Sequence, residues 1–389
     1  MEQVYDVIIG GGSISGLLAA REIASRGHSV LVLEKDPEIG TPEHCGGLVS
    51  MDAIKNLGVI PRSNTIQNQI RAAKICSPSK DFEIKATKQK VLVIERREFD
   101  KQIALQSTRA GAAITTGCSL LNARFKPDSP DGRFQIVTSE GKFQCRYFVD
   151  ARGITSLIQN YRSGILVAAQ YEVYAPWIEK DTVIVEFDSL KYPGFFAWVI
   201  PIGDGRGKVG LAGRNINAAR SINSFLYSKG AQFSVIRKIF APVWIGGPID
   251  EFVTGRTITI GDAAGQTKPT TAGGIYTCGL AGIYAGKAIS EAIERKEDRY
   301  LLDYQNDWAR IFEKEFRHML LFRKVLEHLD NTALDRVFSG INMAYVDKAS
   351  EAGDFDFHSI SIRKLLSVGG LKIFKALLDN EARRSVSKV

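Results

Sequence analysis

The sequence predicts an α/β (α+β) fold: a Rossmann-like domain with an inserted antiparallel-sheet domain and a helical C-terminal region. Three observations carry this expectation. An apolar run at 5–9 leads through a glycine cluster and a helical stretch at 17–25 to a second apolar run at 29–33, the order of a βαβ unit. The middle of the chain is crowded with short, strand-like segments. Beyond a second glycine-rich loop at 261–265, helical periodicity prevails to the C-terminus.

In chain order, 10–16 reads as a tight loop, and Gly27 ends the first helix. Polar and apolar side chains alternate at 70–75 and 82–85, which predicts antiparallel strands within 68–95, with a helix following from Glu98. Strands are expected at 134–138, 143–149, 166–173, 182–187, 195–200, 208–212 and 257–260, with turns such as Gly203-Asp204-Gly205 between them. Helices are expected at 275–295, 304–329 and 371–384. Within 304–329, Ile311, Phe312, Phe316, Met319 and Leu320 lie opposite Arg310, Lys314 and Arg317, a stripe suited to packing on the first domain or to docking on a bilayer.

A chain of 389 residues can bury roughly three quarters of its unfolded surface, enough for one or two real cores. The start, Met-Glu-Gln-Val-Tyr-Asp, lacks a basic leader region, so a cytoplasmic location is expected. No stretch nears the ~18 apolar residues of a spanning helix. The net charge of +8 and the basic tail Lys372, Lys375, Arg383, Arg384 and Lys388 leave a peripheral place on the cytoplasmic membrane as a companion expectation. No nucleic-acid partner is expected, because no binding motif accompanies the charge. The cysteines Cys45, Cys76, Cys118, Cys145 and Cys278 form no Cys-x-x-Cys pair and no zinc-spaced cluster. They predict no metal site and a reducing compartment, with a disulfide among Cys76, Cys118 and Cys145 left open.

The chemistry begins at Gly11-Gly12-Ser13-Ile14-Ser15-Gly16, set between a strand and a helix, with Glu34 and Lys35 at the end of the next strand. Such glycines let the backbone approach a pyrophosphate, the helix N-terminus supplies donors, and the acid accepts from ribose hydroxyls. Ser13 stands at the middle glycine position of the usual fingerprint, and Gly10 is an extra glycine upstream. A second loop, Gly261-Asp262-Ala263-Ala264-Gly265, is followed by Lys268-Pro269-Thr270-Thr271-Ala272-Gly273-Gly274-Ile275. Asp262 can bind a polyol such as a ribityl chain, and the helix starting near Ala272 aims its positive end at what lies above. One dinucleotide site in two parts implies FAD rather than NAD, and no second strand-led loop provides a separate nicotinamide domain.

Together these motifs resemble the FAD-dependent hydroxylase-type flavoprotein superfamily and, within it, the geranylgeranyl reductase family. The likeness is carried by 11–16 with Glu34, by Pro42-Glu43-His44-Cys45-Gly46-Gly47-Leu48, by Glu95-Arg96-Arg97-Glu98-Phe99-Asp100 and by 261–275. It implies that Ser15, Glu34, Cys45, Gly46, Leu48, Arg96, Leu120, Asp262, Gly274 and Ile275 surround FAD, with Gly273 beside them and Arg96 capping the phosphate or ribose region. It also implies that Cys45 lies at the flavin's reactive side, to position it or to supply a proton; His44 reads as structural.

Tyr192-Pro193-Gly194-Phe195-Phe196-Ala197-Trp198-Val199-Ile200-Pro201 resembles the family's Tyr-x-Trp-x-Phe-Pro stretch, so Phe195, Phe196 and Trp198 are expected to line an apolar substrate pocket. Phe196 stands where the family has tyrosine and Ile200 where it has phenylalanine, and Phe196-Ala197-Trp198-Val199-Ile200-Pro201 is also near the Trp-x-Trp-x-Ile-Pro stretch of flavin halogenases. Arg152, in Asp150-Ala151-Arg152-Gly153, replaces the usual acid, and Ala272 replaces the first glycine of a Gly-Gly-Gly turn.

The expected division is 1–68, 92–160 and 250–300 for the FAD-binding domain, 69–91 and 161–249 for the substrate domain, and 301–389 for the helical region. The resemblance implies a reductase that saturates carbon–carbon double bonds of a polyprenyl chain in a membrane lipid or quinone, with NAD(P)H, ferredoxin or a quinol as electron donor. A flavin monooxygenase or halogenase is the alternative. A flavin-binding electron-transfer or membrane-surface partner is the third.

Overall fold

The structure is a computed structural model that describes residues 3–128, 132–158, 163–341, 346–347, 350–351 and 354–358; the helix expected at 371–384 lies outside them. Val7, Ile8 and Ile9 are wholly buried, so the strand Gln3–Gly10 belongs in the interior of a sheet covered on both faces. It pairs in parallel with Val30–Leu33 and with Lys142–Asp150, and Ala113–Thr115 and Thr257–Thr259 extend the parallel array on either side. Gly10 ends opposite Asp150. The carboxyl ends of these strands open the crevice where ligands of open α/β sheets bind.

Two helices, Ile14–Ser25 and Ile275–Arg295, pack on this sheet and on each other through the main core. Their contact is backbone-close: a Cβ at Gly282 would lie 2.2 Å from the carbonyl oxygen of Ser15. The long helix Leu302–His328 then lays Tyr304, Trp308, Phe312 and Phe316 into the same core; of the expected stripe Phe312, Phe316 and Met319 are buried, whereas Ile311 is exposed. Among the described residues no helix is long and apolar enough to cross a membrane.

A second, eight-stranded sheet runs in the order Ser234–Phe240, Ile165–Tyr174, Arg206–Gly213, Ala197–Gly203, Thr182–Glu186, Ala72–Cys76, Asp81–Lys85, with Val243–Trp244 also joined to Ile165–Tyr174. It departs from a purely antiparallel sheet at one place, because Thr182–Glu186 and Ala72–Cys76 are parallel. Between them the chain leaves for the first domain and returns, and such a crossover is what parallel pairing requires. Residues 68–95 are accordingly shared between two sheets. Ile66–Ile70 and Val91–Ile94 form a three-stranded sheet with Leu48–Ser50, and Val91–Ile94 is buried at every position rather than alternating. The helix Ala218–Lys229, capped by Asn217 and not foreseen above, covers one face of the large sheet through Ile222, Phe225 and Leu226. The opposite face carries Gln170, Ile200 and Lys208, which meet the segment 43–46.

Gly282→Val should cost about 1–3 kcal/mol through overpacking against the Ser15 backbone, measured as a lower urea midpoint with an unchanged slope. A loss within the error of the titration would contradict this packing.

Candidate active site

The first helix begins at Ser13, whose side chain makes no capping bond, and its first turn carries no acid. The helix Ile275–Arg295 begins the same way, from Gly274. Two helix N-termini thus leave their amides and positive ends available to an outside anion. Gly261 lies between their first turns, where a Cβ would stand 2.5 Å from Ser15 Oγ and 3.8 Å from Cys278 Cβ. Gly11, at φ +112°, passes so near Ala151 that a Cβ would sit 2.2 Å from its carbonyl oxygen, which makes the tight turn a glycine requirement. Glu34 accepts from the Gly12 amide at 2.7 Å and from the Asp36 amide at 2.9 Å, leaving lone pairs for hydroxyl groups. Leu120 packs beside Gly10. Lys35 is largely exposed, with Asp36 at 3.8 Å.

Arg152 folds back on Asp150 through two bonds, at 2.8 and 3.0 Å, and Ser156 donates to both oxygens of the same carboxylate at 3.0 Å. The strand end opposite Gly10 therefore still presents an acid, already paired. Asp262 is accessible from the crevice while Gly261, Ala263 and Ala264 around it are buried. Desolvation by the surrounding protein raises its pKa, against a hydrogen bond from Cys278 Sγ at 3.5 Å and the charge of Arg96. An accessible acid in a desolvating hollow, between two helix ends that bear no capping side chain, fits a ligand carrying both hydroxyls and phosphates. The residues present fit FAD. Ala272 sits in the left-handed region, at φ +53°, the conformation that a glycine would hold without strain. Gly273 and Gly274 follow it, and Ile275 is buried in the core as the first helical residue.

The loop at 41–47 lies across the large sheet. A Cβ at Gly46 would meet Ile200 Cδ1 at 2.7 Å. Gln170 donates to the Cys45 carbonyl at 3.3 Å and accepts from the Trp198 indole at 3.1 Å, so one glutamine joins the thiol loop to the aromatic strand. Cys45 Sγ accepts from the Gly47 amide at 3.3 Å. Leu48 packs beneath, with Val93 and Ile200.

Arg96 pairs with Asp100 at 2.9 Å and lies beside Cys45. Burial alone would lower its pKa; Asp100 and Cys45 outweigh this and hold it protonated above its ordinary value. Beneath Cys45, the fully buried Glu43 carboxylate meets Lys208 Nζ at 2.6 Å and Arg237 at 2.5 Å. Burial would raise its pKa, but the two cations hold it below the ordinary carboxylate value.

Phe195 and Phe196 do not belong to the strand expected at 195–200. Ala197–Gly203 begins after them, because Tyr192-Pro193-Gly194-Phe195 closes a turn with the Phe195 amide on the Tyr192 carbonyl at 3.0 Å. The two rings stack at 4.1 Å, and Trp198 stands edge-on to both at 6.5 and 6.0 Å. With Leu166, Ala168 and Ile245 they form an apolar cluster against which Ala272 packs. Cofactor turn and aromatic turn are thus in contact. Arg323 ties them further, donating to the Pro269 and Gly194 carbonyls and standing over the Phe195 ring at 5.3 Å.

Sequence reasoning missed Glu43, Lys208, Arg237, Gln170, Arg323 and Cys278. Lys208 left a signal, being a lone charge at an inward position of the Gly-Lys-Val-Gly-Leu strand. All five cysteines are free thiols, and no metal-ligand cluster occurs among the described residues.

The segment 354–358 packs onto the cofactor loop. Lys268 Nζ donates to the Phe355 carbonyl at 3.0 Å, and His358 donates to the same carbonyl at 3.0 Å while accepting from Thr270 at 2.8 Å. Burial and the Lys268 charge push the His358 pKa down to about 3.

This geometry sets a two-part dinucleotide site beside an apolar cluster of side chains, and residues 4–193 match the family model of an FAD binding domain. The protein is an FAD-dependent oxidoreductase. It is 32% identical over 368 residues to digeranylgeranylglycerophospholipid reductase 2 of Methanothermobacter thermautotrophicus, covering 89% of this chain and 94% of that one. To the enzyme of the same name from Methanopyrus kandleri it is 29% identical over 366 residues, covering 87% and 90%. A geranylgeranyl bacteriochlorophyll reductase-like protein from Thermoplasma acidophilum shares the fold with a TM-score of 0.84 at 22% identity, over 98% of this chain and 100% of that one. A flavin-dependent brominase shares it at 0.66 and 18% identity, over 93% of each. The chain belongs to the geranylgeranyl reductase family of flavoproteins.

His358 gives the site a pH signature. Its folded pKa lies below its ordinary 6.5, so between pH 6.5 and about 3 the unfolded chain binds the extra proton and stability falls as pH is lowered. His358→Gln should flatten the dependence of urea stability on pH across this window, and an unchanged slope would contradict the assignment.

Proposed function

We propose that the protein saturates carbon–carbon double bonds of a polyprenyl, geranylgeranyl-type chain carried by a membrane lipid or quinone. The observation that carries this reading is Gln170, which bonds both the Cys45 loop and Trp198 and so joins the thiol loop to the aromatic strand. The names of the relatives support the same substrate class. FAD, when bound and reduced, supplies a hydride for one alkene carbon.

The other carbon needs a proton, and an unactivated alkene needs it delivered in a dry pocket. We assign its delivery to Cys45. Its sulfur accepts from the Gly47 amide, and the Arg96 guanidinium lies beside it. Phe195, Phe196 and Trp198 bury the chain and present ring faces to positive charge developing on carbon. Phe196 supplies no hydroxyl, so the proton is not drawn from that position. Glu34 and the 11–16 loop bind the nucleotide end, and Asp262 with the Gly273-Gly274 turn binds the ribityl and pyrimidine end. The electron donor is NAD(P)H, ferredoxin or a quinol, and the enzyme works at the cytoplasmic surface of the membrane that holds its substrate.

A monooxygenase or halogenase is the second reading, favoured by the Phe196-Ala197-Trp198-Val199-Ile200-Pro201 pattern. Oxygen separates the two. Protein reduced anaerobically should regain its yellow colour on mixing with a polyprenyl lipid in vesicles, with no oxygen present; recovery only when air is admitted would overturn the reductase reading. Cys45→Ala should keep FAD and lose about 100-fold or more in turnover, the usual worth of a positioned acid. Full turnover in that variant would remove Cys45 from the mechanism.

A further inference from the structure

Glu43 stands two residues before Cys45 and has no exposed side-chain surface, and Lys208 has 1%. Its Oε1 takes Lys208 at 2.6 Å and the Arg96 backbone amide at 3.3 Å, and its Oε2 takes Arg237 at 2.5 Å. Arg237 also pairs with Glu172 at 3.3 Å. Lys208, Arg237 and Glu172 come from three neighbouring strands of the large sheet, Arg206–Gly213, Ser234–Phe240 and Ile165–Tyr174. Glu43 and Arg96 come from the crevice side. Two carboxylates and two ammonium or guanidinium groups therefore balance across the junction of the two parts of the site.

Well-packed apolar side chains would hold such a junction with equal or greater stability, because burying ions is costly. What the charged cluster adds is direction: the carboxylate accepts its partners only in one arrangement. The loop beyond it has little slack. Cys45 is pinned by Gln170, Gly46 lies on Ile200, and Gly47 is pressed against the Ile94 carbonyl, where a Cβ would stand at 2.3 Å.

We propose that Glu43, Lys208 and Arg237 are positioning residues that fix the Cys45 loop on the substrate sheet, so that the thiol and the aromatic pocket keep one relative placement. This rests on the reading of Cys45 as the proton-delivering group, but its first readout does not need turnover. Full-length, FAD-loaded protein is treated with iodoacetamide, and alkylation is followed for each cysteine by mass spectrometry. Cys76, half-buried at the far end of the same sheet, serves as the internal reference.

Glu43→Gln should raise the rate at Cys45 about tenfold by easing local opening of the loop, with the rate at Cys76 unchanged, and should lower kcat more than it alters KM for a polyprenyl lipid. The double variant Glu43→Gln, Lys208→Met removes the unpaired buried charge and should recover melting temperature without recovering Cys45 protection. Should Glu43→Gln not fold, Arg237→Gln, whose side chain is 26% exposed, gives the same pattern at smaller size. Equal acceleration at Cys45 and Cys76, no acceleration at either, or recovery of Cys45 protection together with melting temperature would each reduce the cluster to a stabilising role and overturn the proposal. Because alkylation is independent of the reaction, its outcome stands even if the lipid proves not to be the substrate.

Discussion

A carboxylate with no access to water persists only where cations and donors replace its hydration. Glu43 meets that condition with partners from both sides of the molecule, and much of the site depends on the meeting. Glu43 fixes the direction in which the 41–47 loop crosses the large sheet. Gln170 then reaches the Cys45 carbonyl, Gly46 settles on Ile200, and the Arg96 guanidinium comes to lie at the thiol. Without that anchor the parallel sheet and the large sheet would still be well-packed units, but the sulfur and the aromatic pocket would have no shared frame.

The cofactor crevice follows from a different constraint, the close approach of backbone. The Gly11 turn against Ala151, and the Gly261 turn between Ser15 and Cys278, bring the first turns of two helices together. Departures from the expected motif are accommodated locally. Arg152 is neutralised by Asp150, and Ala272 takes the strained left-handed conformation while its methyl packs against the aromatic cluster. A glycine there would relieve strain and lose that contact.

The βαβ start, the Gly-Asp loop and the long helices were legible because each is a local pattern: buried apolar runs, glycines at turns, and helical spacing. The Asp262 and Glu34 positions were legible for the same reason. What the sequence hid was pairing at a distance. Glu43, Lys208 and Arg237 lie far apart in the chain, and their meaning exists only once three strands and a loop converge. Arg96 was named through the family resemblance, but its pairing with Asp100, one helical turn away, was visible only in the structure. Phe195 and Phe196 read as strand because aromatic residues favour strands, yet the Pro193-Gly194 turn removes them from the ladder and stacks them beside the cofactor loop.

The chemistry proposed here asks the chain for three things: a crevice for FAD, a proton at a fixed distance from it, and a pocket that excludes water around an isoprenoid chain. The most direct measurement is mass analysis of the lipid after anaerobic incubation with the reduced protein and a digeranylgeranyl lipid. The account predicts products heavier by two hydrogens for each double bond saturated, with no oxygen incorporated. Recovery of the lipid at its starting mass, or a product that has gained oxygen or halogen when those are supplied, would contradict it.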